Sequence, residues 1–351
     1  MSKSPSPDKT GLAKGSPGPW TDTGVLPPSH WPQLAEADDG DSAVLDTASS
    51  TASITSSILQ YRTINGRSYQ SERGNPDYWG PIDDTGQEAM DINHHVLTLL
   101  LDDQLYLAPL SKDIKRALDI GTGTGIWAME FADKFPNASV IGTDLAPIQP
   151  SWVPPNLEFQ IEDCTQEWTF QPNTIDYVHM RWLVGSIADW TSLFKEAYKS
   201  LKPGGYLESY EPASRIESDD GTVLPDSAIA QWGKFFVEGG RKIGRPFTLF
   251  EEGIQKEAMR KAGFVDIKEK DLKNPIGGWA KDPKQRSIGQ YMQAAFEQDA
   301  KGTVLHFATQ LGWTEEEVTV YISHFQSEVR SPKIHSYVKQ KVVWGRTPHD
   351  A

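Results

Sequence analysis

The stretch Asp119-Ile120-Gly121-Thr122-Gly123-Thr124-Gly125 joins a short apolar run to an amphipathic one. Glycines at alternate positions let the backbone turn tightly and let a ligand approach where a side chain would collide. The helix that follows offers unpaired N–H groups at its start. Gly123 to Ala128 also satisfies the G-x-G-x-x-A form of the dinucleotide fingerprint, so this stretch alone leaves NAD open. Acidic residues narrow the choice. Asp119 precedes the glycines, where a pyrophosphate gains nothing from a carboxylate and a ligand bearing an ammonium group does. Asp144, 19 residues after Gly125, is placed to hold two ribose hydroxyls, which NAD also carries. Asp163, in Glu162-Asp163-Cys164, is placed to accept from an adenine amino group at the carboxyl edge of a sheet. Leu201-Lys202-Pro203-Gly204-Gly205 completes the ordered set.

Alternating elements must position these residues. Lys115 to Ile120, Ser139 to Thr143, Leu157 to Ile161, Ile175 to Met180 and Tyr206 to Tyr210 read as five short strands. Between the first two, a helix from about Ile126 to Phe135 is stopped by Pro136. Asp189 caps a helix with Trp190, Leu193, Phe194, Ala197 and Leu201 on one face. Strands alternating with helices imply a parallel sheet covered on both faces. Ahead of them, Met90, Ile92, Val96, Leu99 and Leu100 recur at helical period over Glu88 to Leu101. Beyond them, Ala228 to Arg241 and Phe250 to Ala262 read as helices, and Val265 to Leu272 and Lys333 to Trp344 as strands. The long helical insertion between those two strands, about 275–332, is expected to form a lid or substrate wall.

Composition bounds the rest. The 351 residues carry 34 basic and 48 acidic side chains, a net charge of −14, which disfavours phosphate backbones as partners. One cysteine, Cys164, excludes an internal disulfide framework and fits the cytoplasm or nucleus. No secretory signal or membrane-spanning run is seen. Residues 1–58 hold seven prolines, eleven serines and only two aromatics, Trp20 and Trp31, and are expected to be a disordered tail. Residues 59–110 then form an N-terminal strap and helix, and 111–351 the main domain.

The ordered set of DIGTGTG, Asp144, Asp163 and LKPGG resembles the class I S-adenosylmethionine-dependent methyltransferases, densely over Arg116 to Tyr210. The resemblance implies an α/β, Rossmann-like fold: a seven-stranded, mostly parallel sheet with the last strand antiparallel and helices on both faces. It implies S-adenosylmethionine as cofactor. Asp119, Gly121, Gly123 and Gly125 would sit by its amino-acid end, Asp144 by the ribose and Asp163 by the adenine. YRTINGRSYQ, Asp91-Ile92-Asn93-His94-His95, GTGTGIWA, HMRWLVGSIADW and LKPGGYLESYE further resemble fungal LaeA-like methyltransferases, from Tyr61 to Glu211. In that group the N-terminal segment folds over the cofactor. This makes Tyr61, Arg62, Arg67 and Tyr69 cofactor-side candidates, or else packing residues of an aromatic-basic strap.

Methyl transfer needs an aligned acceptor, exclusion of water and removal of a proton where the acceptor carries one. His179 and Arg181 end the fourth strand, Tyr210 and Glu211 the fifth, and His94 and His95 lie on the N-terminal helix. His179 and His95 are preferred as general base; the bland alternative is a hydrogen-bonded spacer between helix and sheet. A zinc cluster, a G-x-S-x-G elbow and the motifs of DNA methyltransferases are absent. The expected acceptor is a small molecule, such as a secondary metabolite, or a protein. The alternative is a nuclear regulatory subunit acting through protein partners, and an NAD-dependent oxidoreductase ranks behind both.

Overall fold

The computed structural model describes residues 24–34, 61–64, 66–70 and 78–349. Seven strands form one sheet in the order β5-β4-β3-β6-β7-β9-β8. They are β3 (Arg116–Ile120), β4 (Ser139–Asp144), β5 (Leu157–Ile161), β6 (Ile175–Arg181), β7 (Leu201–Glu217), β8 (Val265–Pro275) and β9 (Tyr337–Arg346). β3 to β7 pair in parallel, and β9 runs antiparallel to both of its neighbours. This is the seven-stranded, mostly parallel arrangement that the resemblance implies.

Alternation along the strands sends neighbouring residues to opposite faces. Ala117, Val140 and Tyr177 pack with Trp127, Phe131 and Ala132 of helix α2 (Ile126–Lys134). Leu118, Ile141, Val178 and Leu207 point the other way, into a larger core with Leu193, Phe194 and Ala197 of α3 (Trp190–Ser200). Asp189 caps α3 by accepting from Ser192 N–H at 3.0 Å. LKPGG lies at the start of β7, so that strand begins five residues earlier than expected and runs on to Glu217.

Helix α4 (Ala228–Ile243) covers β7, and the single helix expected over 250–262 is two. Gly253, at φ +63, breaks it into α5 (Leu249–Glu252) and α6 (Ile254–Ala262). The insertion between β8 and β9 is helical, as α7 (Pro283–Gln310) and α8 (Glu315–Arg330), with a non-helical kink at Asp299 inside α7. α7 packs along α1 (Asp84–Leu100), and a two-stranded hairpin, β1 (Arg62–Ile64) and β2 (Arg67–Tyr69), precedes α1.

The expectation of a tail over 1–58 needs a correction at 24–34. Pro28–Leu34 is a 3-10 helix whose Trp31 is fully buried against Tyr321 and His324 of α8. Val25 N–H and Leu26 N–H donate to Glu238 and Gln231 of α4. One large aromatic among few provides apolar burial that average composition does not register. The rest of residues 1–58 lies outside the described residues.

Candidate functional site

One cavity opens at the carboxyl ends of β3, β4, β5 and β6, beneath the strap and α7. Its rim is built by backbone hydrogen bonds. Gly121 N–H and Thr122 N–H both donate to Thr143 O at 2.9 Å, which ties the glycine turn across β4. Gly123 N–H donates to Asp144 Oδ2 at 2.8 Å, and Gln149 Nε2 donates to Gly123 O at 2.6 Å. Gly123 sits at φ +58, and a Cβ there would have only Met90 Sδ nearby, at 3.6 Å, so its backbone is open to the cavity. Gly125 is the N-cap of α2 at φ +81; it is not on the wall, and a Cβ on it would stand 2.3 Å from the Phe159 ring. It fixes the loop rather than the ligand side.

Asp119, Gly121, Gly123, Asp144 and Asp163 all line this cavity. Asp119 is buried, accepting from Thr122 Oγ1 at 2.6 Å and lying 2.7 Å from His179 Nδ1. Asp144 accepts a second backbone bond, from Ala146 N–H at 3.0 Å, and burial raises its carboxyl above the usual range. Asp163 Oδ1 is held by Thr165 through N–H and hydroxyl, at 2.9 and 2.6 Å. The three carboxylates therefore stand at the carboxyl ends of three neighbouring strands, Asp163 just past β5, Asp144 ending β4 and Asp119 within β3.

Four other expected residues are elsewhere. His179 is 1 % exposed, stacked on Trp127 with ring centroids 3.7 Å apart, and it does not line the cavity. Strand alternation turns it toward α2, where burial lowers its pKa against the opposing pull of Asp119. It holds Asp119 and cannot take a proton from an acceptor in the cavity. His95 is exposed on the outer side of α1, edge-on to Tyr291 at 4.5 Å. Arg67 is engaged by two carboxylates, Asp83 and Asp299, at 2.6 Å each. Tyr69 is fully buried, with its hydroxyl toward Gly302 O and its phenol pushed up to about 12 by burial. Neither Arg67 nor Tyr69 is on the cavity wall; both are packing residues of the strap.

Arg67 explains the kink in α7. Its guanidinium bridges the Asp83 carboxylate, which caps α1 through Gly86 N–H, to Asp299, whose own Oδ1 accepts from Gly302 N–H at 3.1 Å. A Cβ on Gly302 would fall 2.0 Å from Arg67 Nη1, so glycine makes room for the clamp. Strap, first helix and lid are thus joined at one cation.

Several wall residues had no distinct signal in the sequence. Gln70, Trp79 and Met90 come from the strap and α1, and Met292, Ala295 and Phe296 from α7. Trp79 is fixed by Nε1–H donating to Val184 O at 2.9 Å. The loop after β6 is pinned from below by Glu211, which accepts from Leu183 N–H and Val184 N–H at 3.1 and 3.0 Å. Burial pushes Glu211 up to about 8 and Glu208 up to about 7. Arg181 and Trp182 form the floor, with His94 Nδ1 3.0 Å from Arg181 Nη2. Burial, then the Arg181 charge, pushes His94 down to about 3, so it is neutral. Arg181 donates to Nδ1, which leaves the proton on Nε2, 3.1 Å from Glu130.

The donor set fits an adenosyl group joined to an amino acid. Carboxylates for hydroxyl and amino hydrogens stand along the rim, a glycine turn lies open beside them, and the buried Trp182 Nε1 and Asn93 Oδ1 are without partners on the wall. No group of three or more His, Cys, Asp or Glu suited to a metal ion occurs among the described residues.

A parallel sheet closed by an antiparallel strand, with a nucleoside-sized rim, defines the class of protein. The methyltransferase domain family matches residues 92–269. The chain belongs to that family and is an S-adenosylmethionine-dependent methyltransferase. It is similar to methyltransferase pytC of Aspergillus terreus, 37% identical over 89% of this chain and 95% of that one. It is also similar to the secondary metabolism regulator LAE1 of Cochliobolus heterostrophus, 32% identical over 81% and 94%. Among solved structures, phosphoethanolamine N-methyltransferase 2 of Haemonchus contortus, in complex with S-adenosyl-L-methionine, aligns with a TM-score of 0.47. That alignment is at 21% identity over 76% of this chain and 57% of that one. The family match removes the NAD-dependent oxidoreductase from consideration.

Proposed function

We propose that this chain methylates a small, largely apolar acceptor of secondary metabolism, held between the sheet rim and α7. The observation that carries this reading is the two-sided wall: carboxylates and a glycine turn on the sheet side, Trp79, Met292 and Phe296 opposite. In this reading Asp163 accepts from the adenine amino group, Asp144 holds the ribose hydroxyls, and Gly121 and Gly123 bring backbone against the amino-acid end. The bound cofactor supplies an electrophilic methyl group on a sulfonium. The chain's own residues align the acceptor and exclude water. No described histidine lines the cavity. The names of the relatives, an enzyme and a regulator of secondary metabolism, support the metabolic setting.

Calorimetric titration tests the placement. Asp144→Ala removes an acceptor of charged hydrogen bonds and should weaken S-adenosylmethionine binding by about 1.5–3 kcal/mol. An unchanged affinity would show that Asp144 does not hold the ligand. Deleting the gene should remove a methylated product while pathway transcripts persist. Broad transcript loss would favour the regulatory reading instead.

A further inference from the structure

Arg181 ends β6 and lines the cavity, yet its guanidinium makes no direct ion pair. Among the described residues no carboxylate lies within 4 Å of it, and its one hydrogen-bonding neighbour is the neutral His94. Two buried acids nearby are committed elsewhere, Asp119 to Thr122 and His179, and Glu211 to Leu183 and Val184, while Glu130 is half exposed to solvent. A half-buried guanidinium with most of its five N–H donors unused is costly unless an anion completes it.

Position selects that anion. Along the rim stand Asp163 just past β5, Asp144 at the end of β4, Asp119 on β3 and Arg181 at the end of β6, and these strands are consecutive in the sheet. Three intervals of about 4.8 Å span roughly 14 Å, the reach of an adenosyl group extended by an amino-acid chain. Asp163 and Asp144 serve the adenosine half, and the cation stands at the far end. There the next residue, Trp182, holds φ +58 without being glycine, and its buried Nε1–H has no acceptor. Asn93 Oδ1, also buried on this wall, has no donor. Spare donors beside a spare acceptor match a zwitterion.

We propose that Arg181, joined by the Trp182 indole N–H, binds the carboxylate of the cofactor's amino-acid end, with Asn93 Oδ1 accepting from its ammonium. This rests on the reading that the adenosine half lies over β4 and β5. Arg181 is then a residue of cofactor selection, and the neutral His94 orients it without competing for the anion.

The test compares calorimetric affinities of the full chain for S-adenosylmethionine and for decarboxylated S-adenosylmethionine. Wild type should prefer the intact cofactor by roughly 10- to 100-fold. The chain's charge of −14 would favour the more cationic analogue, so net charge cannot produce this preference. Arg181→Met should bind both compounds about equally and weakly, and Arg181→Lys should keep part of the preference. Equal affinities in wild type overturn the proposal, as does an undiminished preference in Arg181→Met. If Arg181→Met fails to fold, wild type and Arg181→Lys still decide, since a lysine variant with full preference would also overturn it. Binding of neither compound to wild type would sink the placement along the rim, and this proposal with it.

Discussion

Replacing Arg67 with Met should loosen the lid without emptying the cofactor site. The guanidinium pairs with Asp83 and Asp299, and the Asp299 side chain is only 4 % exposed. Removing one partner of a buried ion pair costs about 3–5 kcal/mol, because the other charge is left without compensation. Arg67 and Asp83 are about a fifth exposed, at 21 % and 24 %, so water reaches one side of the cluster. Asp299 also escapes part of the penalty by taking up a proton, since burial already raises its carboxyl. The expected loss is therefore about 2–3 kcal/mol. Urea unfolding followed by tryptophan fluorescence would show it as a midpoint shift on the order of 1 M. Arg67→Met combined with Asp299→Asn should recover most of the loss, because the stranded charge is gone. Cofactor affinity of the folded single variant should change by only a few-fold. A double variant no more stable than the single one would refute the reasoning, and so would a large loss of affinity at an unchanged midpoint.

Three other outcomes are expected. Gly125→Ala must move the Phe159 ring and carry a strained φ, so it should lower the melting temperature by several degrees and weaken cofactor binding; unchanged melting would contradict the packing described. Glu211 holds its proton more tightly folded than unfolded, so its contribution to stability is full below about pH 4.5 and is lost as pH rises through about 8. Denaturation midpoints of Glu211→Gln should accordingly fall less between pH 5 and 8 than those of wild type, and identical slopes would count against the assignment. Trp31→Ala removes a fully buried ring, worth up to about 3–5 kcal/mol, and should release residues 24–34 first. Hydrogen exchange would detect that release, and unchanged protection of the segment would rule it out.

Much of the fold was legible because its signals are local. Apolar runs such as RALDI, turns such as GTGTG and caps such as Asp189 each follow from neighbouring residues. The rim aspartates were legible for the same reason: each lies at or next to the end of an apolar run. Partners distant in sequence were not legible. Arg67 read as a ligand residue because nothing near it announces Asp299, 232 positions away. His179 read as a base because position in the chain puts it at a strand end, whereas alternation turns its ring toward Trp127. Trp31 was hidden by its prolines and serines, since one anchoring ring barely alters composition.

The lid leaves the sheet at Pro275 and returns at Tyr337, and these two residues are paired across β8 and β9. Its ends are thus held side by side by the sheet itself, like the stem of a hairpin with an enlarged head. Lengthening or exchanging that head costs little in closure entropy, which grows only with the logarithm of loop length. The helical head over the cavity can therefore change in length and sequence while the glycine turn and the rim aspartates stay unaltered.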